Sequence, residues 1–356
     1  MDIILHLGAH RTGMGAFHAF LRGNRGALAE LKLALWEPGG LRSGLGAGLT
    51  RPLEPPNPAV QARVRRSLGR IGMEVARLEQ RGVDRLLFCE PGLIGDLRDT
   101  LAAQLLYPQL LPRLARLSGT IASRCSRVVL VIRSYDAFWA SALAQALPGG
   151  MPFPGAAMLA QLVAQPRRWR HLIVELASVF PRAECLILPH EALAGQLDLQ
   201  LAMALAEPVP PLCGGRQRLH PRPTRAMLRQ VLHDRRENRD LIPDGPDPWQ
   251  MFDPDQVAAM QAHYAGDLDW LHQGADGLAG VMADSGTEGY TEGYTEGYSA
   301  GYSAGGARDG TNGDTRGDTG RESGDDGRGG NRRGGNGRGG NGRGGNGRGF
   351  KAANMG

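Results

Sequence analysis

Residues 1–20 read MDIILHLGAHRTGMGAFHAF, and this stretch decides the fold. The short, continuous apolar run from Ile3 to Leu7 is typical of a strand that is buried on both faces of a parallel sheet. A loop with three glycines, Gly8 to Gly15, comes next, and apolar residues at helical spacing begin at Ala16. Strand, glycine-rich loop and helix in this order open a phosphate-binding βα unit.

Further short apolar strands are expected beyond this unit, at 33–36, 85–89, 127–132 and 184–188. The run VVLVI at 128–132 is the most strand-like, so we expect it at the centre of the sheet. Helices are predicted at 16–31, 59–80, 105–122, 136–147, 155–165, 167–179, 191–206, 224–238 and 254–273. Strands that alternate with helices predict right-handed crossovers and an α/β fold, in which a parallel sheet has helices on both faces.

The end of the chain, Ser285 to Gly356, has a different composition. It holds about half of the 53 glycines, in TEGY-type repeats followed by GRGGN repeats, and almost no aliphatic side chains. Such a segment cannot bury enough apolar surface to offset the entropy of ordering it. We therefore predict an α/β domain over 1–284 and a disordered, glycine-rich tail over 285–356. A second interpretation is an RGG-like arm that contacts RNA or other anions.

Composition excludes several classes of protein. The net charge of +5, from 41 basic and 36 acidic residues, is too small for a strongly basic nucleic-acid-binding core, so a nucleic acid partner is expected only through the tail. The four cysteines form no C-x-x-C pair, which argues against a zinc site, and we expect no metal. No apolar run reaches the length of a membrane span and the first residues do not form a signal peptide, so we expect a cytoplasmic protein.

The first loop has the spacing of an anion-binding loop but not its usual side chains. Gly8 and Gly13 are five positions apart, as in a Walker A loop, G-x-x-x-x-G-K-[ST]. Met14 and Gly15 stand where the lysine and the hydroxyl residue belong, which argues against a nucleoside-triphosphate kinase. The positive charge lies earlier, at Arg11, beside the hydroxyl of Thr12.

The run GAHRTG at 8–13 resembles the phosphosulfate loop of PAPS-dependent sulfotransferases, often G-x-x-[KR]-[ST]-G-T-[TS]. In that family a strand ends in an arginine, and a serine eight residues later completes the site for the 3′-phosphate. Here Arg133 follows the strand VVLVI and Ser141 comes eight positions later. Weaker similarities are LILPHEAL at 186–193 and LLFCE at 86–90, so that the resemblance covers about residues 2–205 in order and spacing.

The resemblance implies a fold of the P-loop nucleotide-binding type. It also implies transfer of a sulfuryl group from PAPS (3′-phosphoadenosine 5′-phosphosulfate) to a hydroxyl or amine of a small-molecule or carbohydrate acceptor. The cofactor-binding residues that it implies are His10, Arg11, Thr12, Gly13, Met14, Gly15, Arg133 and Ser141. The catalytic candidates are Arg11, which would stabilise the leaving phosphate, and Glu90, which lies at a strand end where a general base belongs.

The sequence departs from the family at Met14 and Gly15, where hydroxyl residues are usual. Backbone N–H groups remain as donors, but one or two hydrogen bonds, each worth roughly 1.5–3 kcal/mol, are lost. This departure supports an alternative, a degenerate protein that binds nucleotide without catalysis.

Several residues have more than one interpretation. Glu90 could instead pair with Arg98 or cap a helix, and His10 could be a base or make a structural hydrogen bond. A basic segment could close over the nucleotide or be a solvated linker; its residues are Arg216, Arg218, His220, Arg222 and Arg225.

Overall fold

The computed structural model describes residues 1–50, 57–193, 195–216, 219 and 222–282. Its six strands form one sheet with the order β2-β3-β1-β4-β5-β6, and every neighbouring pair is parallel. The strands are β1 (Asp2–Gly8), β2 (Leu33–Trp36), β3 (Arg85–Cys89), β4 (Cys125–Ile132), β5 (Glu184–Pro189) and β6 (Gly280–Val281). The α/β fold with a parallel sheet is therefore confirmed, whereas the predicted tail at 285–356 lies outside the described residues.

Helices connect the strands throughout the described chain. The first six are α1 (Met14–Gly23), α2 (Arg25–Glu30), α3 (Pro38–Gly40), α4 (Pro58–Gln80), α5 (Leu97–Ala103) and α6 (Leu110–Ile121). The others are α7 (Tyr135–Ala146), α8 (Ala156–Ala164), α9 (Trp169–Val179), α10 (His190–Leu193), α11 (Leu197–Leu205), α12 (Arg225–Asp234) and α13 (Pro254–His272).

Alternate side chains of the strands enter two separate apolar layers. Ile3, Leu5 and Leu7 of β1 pack in one layer, with side chains from α6, α7, α9 and α13. Ile4 packs in the other layer, with side chains from α1 and α11. Because successive residues of a strand point to opposite faces, these two layers show that helices cover both faces of the sheet, as predicted.

The order of the strands creates a crevice beside β1. After β1 the chain runs through α1 on one face toward β2, and after β4 it runs through α7 on the other face toward β5. Adjacent parallel strands whose helices leave on opposite faces form a crevice at their carboxyl ends, where ligands of open α/β sheets bind. The loop after β1 and the residues after β4 both lie at this edge.

Candidate functional site

The loop between β1 and α1 is fixed by its own contacts. The Ala9 amide donates to the carbonyl oxygen of Val131 on β4 (3.0 Å), and the Thr12 hydroxyl donates to the Ala9 carbonyl (2.7 Å). Arg11 and Gly13 have φ of 70° and 81°, in the left-handed region that favours glycine. Thr12 is 2% exposed, so its hydroxyl stabilises the loop and its amide is the group left to meet a ligand.

Backbone N–H groups accumulate at the end of this loop. The amides of 12–15 donate to no backbone carbonyl within the described part of the chain. Met14 and Gly15 begin α1, where N–H groups have no partner inside the helix and the helix dipole adds partial positive charge. This arrangement suits the oxygens of a phosphate or sulfate.

Three of the predicted site residues, Arg11, Arg133 and Ser141, lie together in the structure. Arg11 donates from Nε to the Ser141 hydroxyl oxygen (2.8 Å) and from Nη1 to Gln145 Oε1 (3.2 Å) on α7. Arg133 follows β4 and donates from Nη1 to the backbone carbonyl of Arg11 (2.8 Å). The loop after β1 and the segment after β4 are thereby joined across the crevice.

Arg222 adds a third guanidinium. Burial, together with the nearby charges of Arg133 and Arg11, lowers the pKa of Arg222 to about 10. Burial also lowers the pKa of Arg133, although Glu191 and Asp136 act in the opposite sense. The Nε atoms of Arg133 and Arg222 are buried without a hydrogen-bond partner, and neither residue has a carboxylate within 4 Å among the described residues. Clustered, partly desolvated cations of this kind favour the binding of an anion.

Glu90 is at the same edge of the sheet, but its carboxylate is already occupied. Arg42 donates to it from Nη2 (2.6 Å) and Nε (3.0 Å), and the Gly92 amide donates to it as well (2.8 Å). Glu90 is 1% exposed, and it caps the single helical turn Pro91–Leu93. These contacts correspond to the capping alternative, with Arg42 as the ion-pair partner in place of Arg98, while the role as general base stays a prediction.

His10 makes a structural contact. Its amide donates to the Tyr107 hydroxyl oxygen (2.7 Å), and its Nδ1 lies 2.9 Å from the same oxygen. Burial lowers the pKa of His10 to about 4, with the charges of Arg42 and Arg11 acting in the same direction. A neutral ring tied to Tyr107 corresponds to the structural alternative for this residue.

Met14 points away from the crevice. Its side chain is 7% exposed, lies in the apolar layer of α1 and folds over Gly8, where an added Cβ would come within 2.2 Å of the Met14 sulfur. Gly8 is therefore required for close packing as well as for the loop. Of the predicted contacts of Met14 and Gly15, those through their amides are the ones that this geometry allows.

Sequence reasoning missed or left open three residues of this region. His190 follows β5, and its ring lies 3.5 Å from the position of a Cβ added to Gly13. Tyr107 holds His10, and Arg222 belonged to the basic segment whose role was open. A polar residue directly after a central strand is the signal that could have singled out His190. In the same segment Arg218 and His220 lie outside the described residues, and Arg225 donates to the carbonyls of Pro243 (2.6 Å) and Pro246 (2.8 Å).

Comparisons with known proteins gave no match to a family model, a curated protein or a solved structure. Among the described residues, no helix is long and apolar enough to cross a membrane. The same part of the chain has no group of three or more His, Cys, Asp or Glu side chains that could hold a metal ion.

Proposed function

We propose that the crevice binds PAPS and that the protein transfers its sulfuryl group to a hydroxyl or amine of a small-molecule or carbohydrate acceptor. The observation that carries this proposal is the contact of Arg11 with Ser141 and of Arg133 with the Arg11 carbonyl, beside the amides of 12–15. A fold of the P-loop nucleotide-binding type is part of the same proposal, supported by the strand, glycine loop and helix that open the chain.

The two ends of the nucleotide would bind to different groups. The amides of 12–15 and the start of α1 suit the oxygens of the 5′-phosphosulfate. Arg133 suits the 3′-phosphate. The Ser141 oxygen accepts from Arg11 and keeps its proton for a phosphate oxygen, but Ser141 is buried, so the Arg11 side chain would have to move aside for the phosphate to reach it. Arg11 connects the two sites, since its backbone is in the loop and its guanidinium lies on α7.

Sulfuryl transfer is an in-line displacement at sulfur. The bond from sulfur to the phosphate oxygen breaks, a bond from sulfur to the acceptor oxygen or nitrogen forms, and the acceptor proton passes to a base. Such a reaction depends on positioning and on cationic charge near the leaving phosphate, as in phosphoryl transfer. The loop amides would supply that charge, together with Arg11 if its side chain turns from Ser141 toward the leaving phosphate. For the proton, Glu90 would have to leave Arg42, and the ring of His190 beside Gly13 is a second candidate.

A second candidate function is nucleotide binding without catalysis. The Met14 side chain is directed into the core, Gly15 has no side chain, and Glu90 is neutralised by Arg42. A protein of this kind would keep the anion site and lack the groups that accelerate transfer.

Incubation of the full-length protein with labelled PAPS and a panel of hydroxyl and amine acceptors tests the proposal. We expect transfer of the label, and its loss in Arg11→Ala, because Arg11 is the cation contributed by the first loop. Binding of the nucleotide without transfer to any acceptor would favour the second candidate. Absence of both binding and transfer would overturn both candidates.

A further inference from the structure

The segment that carries Arg133 is held by polar contacts from three later elements. The indole Nε1 of Trp169, on α9, donates to the Arg133 carbonyl (2.8 Å). Glu191, on α10, accepts from the Ser134 amide through Oε1 (3.0 Å). The hydroxyl of Tyr135 donates to Asp267 on α13, which is 132 positions away along the chain. Three consecutive residues, 133–135, are thus each tied down by a polar group.

Asp267 is the buried anchor of these contacts. It is 0% exposed, and besides the Tyr135 hydroxyl it accepts from the Trp169 amide (3.2 Å) and from Arg170 Nε (2.6 Å). A buried carboxylate is tolerated when donors and a cation surround it, and it then fixes the groups that donate to it. Trp169 therefore reaches the Arg133 carbonyl with its indole, while its backbone amide donates to the Tyr135 hydroxyl oxygen (2.6 Å) and to Asp267.

Tyr264 supports the second contact. Its hydroxyl donates to Glu191 Oε2 (3.0 Å), so that Oε1 of the same carboxylate is directed at the Ser134 amide. Tyr264 and Asp267 are three residues apart on α13 and therefore share one face of that helix. Two sets of contacts that hold residues 133–135 therefore begin on this face, one from Asp267 through Tyr135 and Trp169 and one from Tyr264 through Glu191. We call these contacts together the clamp.

The guanidinium of Arg133 depends on this clamp for its direction. The hydrogen bond that places it is a single one, from Nη1 to the Arg11 carbonyl, and its Nε has no partner among the described residues. The orientation of its backbone must therefore set most of the remaining geometry. We infer that Tyr264 and Asp267 are positioning residues that hold Arg133 in the orientation for a 3′-phosphate, an inference that rests on the proposed function.

The test compares two adenine nucleotides, with and without a 3′-phosphate. Tyr264→Phe keeps the ring, which packs edge-on against Tyr135 at 6.1 Å, and removes the hydroxyl that orients Glu191. In this variant we expect the affinity for adenosine 3′,5′-bisphosphate to fall about tenfold and that for adenosine 5′-monophosphate to change by less than about twofold. Asp267→Asn should act in the same direction, because an amide cannot accept all three donors.

Glu175→Gln is the matched control. It breaks the ion pair of Glu175 with Arg167 (2.6 Å) on the same helix as Trp169, without touching 133–135. We expect it to lower the melting temperature and to leave the ratio of the two affinities unchanged. An unchanged ratio in Tyr264→Phe would overturn the inference, because a merely structural Tyr264 would affect stability alone.

Hydrogen exchange provides a readout that needs no nucleotide. Tyr264→Phe should increase exchange at the Ser134 amide and leave the amides of β4 protected. If the wild-type protein binds neither nucleotide, the proposed function fails, and increased exchange at Ser134 still supports the clamp on Arg133. Unchanged exchange at Ser134 overturns the clamp in either case.

Discussion

At the carboxyl edge of the sheet, the arginines near the end of β3 and those near the end of β4 have different partners. On the β3 side, Arg42 forms an ion pair with Glu90, and Arg113 Nη2 lies 3.2 Å from Asp99 Oδ2. On the β4 side, Arg133 donates to the backbone carbonyl of Arg11, and Arg222 donates to that of Trp249. Neither of these two arginines has a carboxylate within 4 Å in the part of the chain that the structure describes.

The difference separates structural charges from charges that can serve a ligand. Each of these two ion pairs has one buried member, Glu90 in the first and Arg113 in the second, whose charge is neutralised in place and stabilises the fold. Arginines gathered around neutral oxygens retain their field. Burial lowers the pKa of both Arg133 and Arg222, and the nearby charges of Arg133 and Arg11 lower that of Arg222 further. The β4 side therefore has an electrostatic reason to bind an anion, and the β3 side does not.

Acid should have the largest effect, because it acts on ionisable groups that are buried without charge. Burial lowers the pKa of His6 to about 3 and that of His18 to about 4, and each ring has a buried nitrogen without a partner among the described residues. In the unfolded chain these histidines bind protons at about pH 6.5, whereas in the folded chain they stay neutral to a much lower pH. The free energy of unfolding is therefore highest above pH 6.5 and decreases as the pH falls below it. His10, whose pKa burial also lowers to about 4, contributes in the same way. We expect a loss of about 5–6 kcal/mol between pH 7 and pH 5, about 2 kcal/mol from each of the three histidines, measured by urea unfolding.

His18→Gln is the control for acid, and it should reduce this loss by about a third. A free energy of unfolding that stays constant from pH 7 to pH 5 would show that the folded protein accepts these protons.

Arg133→Ala tests the β4 side. We expect the affinity for adenosine 3′,5′-bisphosphate to fall by about 2–3 kcal/mol relative to that for adenosine 5′-monophosphate, the value of a charge-assisted pair. Calorimetric titration measures both. Arg42→Ala, on the β3 side, should leave this difference unchanged. If Arg133→Ala lowered the affinity for both nucleotides equally, Arg133 would not bind the 3′-phosphate.

Glu90→Gln tests the β3 side. The variant removes the negative charge that accepts two hydrogen bonds from Arg42. Because Arg42 is half exposed to solvent, we expect the free energy of unfolding to fall by only about 1–2 kcal/mol. Nucleotide affinity should not change. If transfer to acceptors were lost while stability remained the same, Glu90 would be a general base after all.

Gly15→Ser, compared with Met14→Thr, should have the smallest effect. A hydroxyl at Gly15, the second residue of α1, adds a donor at the start of the helix and should improve nucleotide affinity by about 1 kcal/mol. Met14→Thr removes a side chain that packs over Gly8, so it should lower the free energy of unfolding without a gain in affinity. Tighter binding in Met14→Thr would place its side chain in the crevice.

The sheet was largely predictable because its signals are local. The five apolar runs became β1 to β5 with nearly the expected bounds, since a strand buried on both faces is apolar throughout. The two-residue strand β6 gave no such signal, because Gly280 and Val281 become a strand only by pairing with Leu186 and Ile187. The predicted helix 16–31 is interrupted at Asn24, whose side chain binds the backbone of Cys213, 189 positions away.

The candidate site also has features that the sequence predicts and features that it does not. The meeting of Arg11, Arg133 and Ser141 follows from strand ends at one edge of the sheet and from the resemblance to sulfotransferases. The pairing of Arg42 with Glu90 joins residues 48 positions apart, and the sequence around Arg42 is rich in glycine and has no apolar periodicity, so nothing local predicts the contact. The direction of the Met14 side chain was equally hidden, because it depends on how α1 packs on the sheet.

Titration of the full-length protein with adenosine 3′,5′-bisphosphate and adenosine 5′-monophosphate tests the central claim most directly. We expect both nucleotides to bind, with a preference of about tenfold or more for the bisphosphate. The reason is that Arg133 and Arg222, on the β4 side, have no carboxylate partner among the described residues. Absence of binding, or equal affinity for the two nucleotides, would contradict the claim that this side of the sheet is built for a 3′-phosphorylated nucleotide.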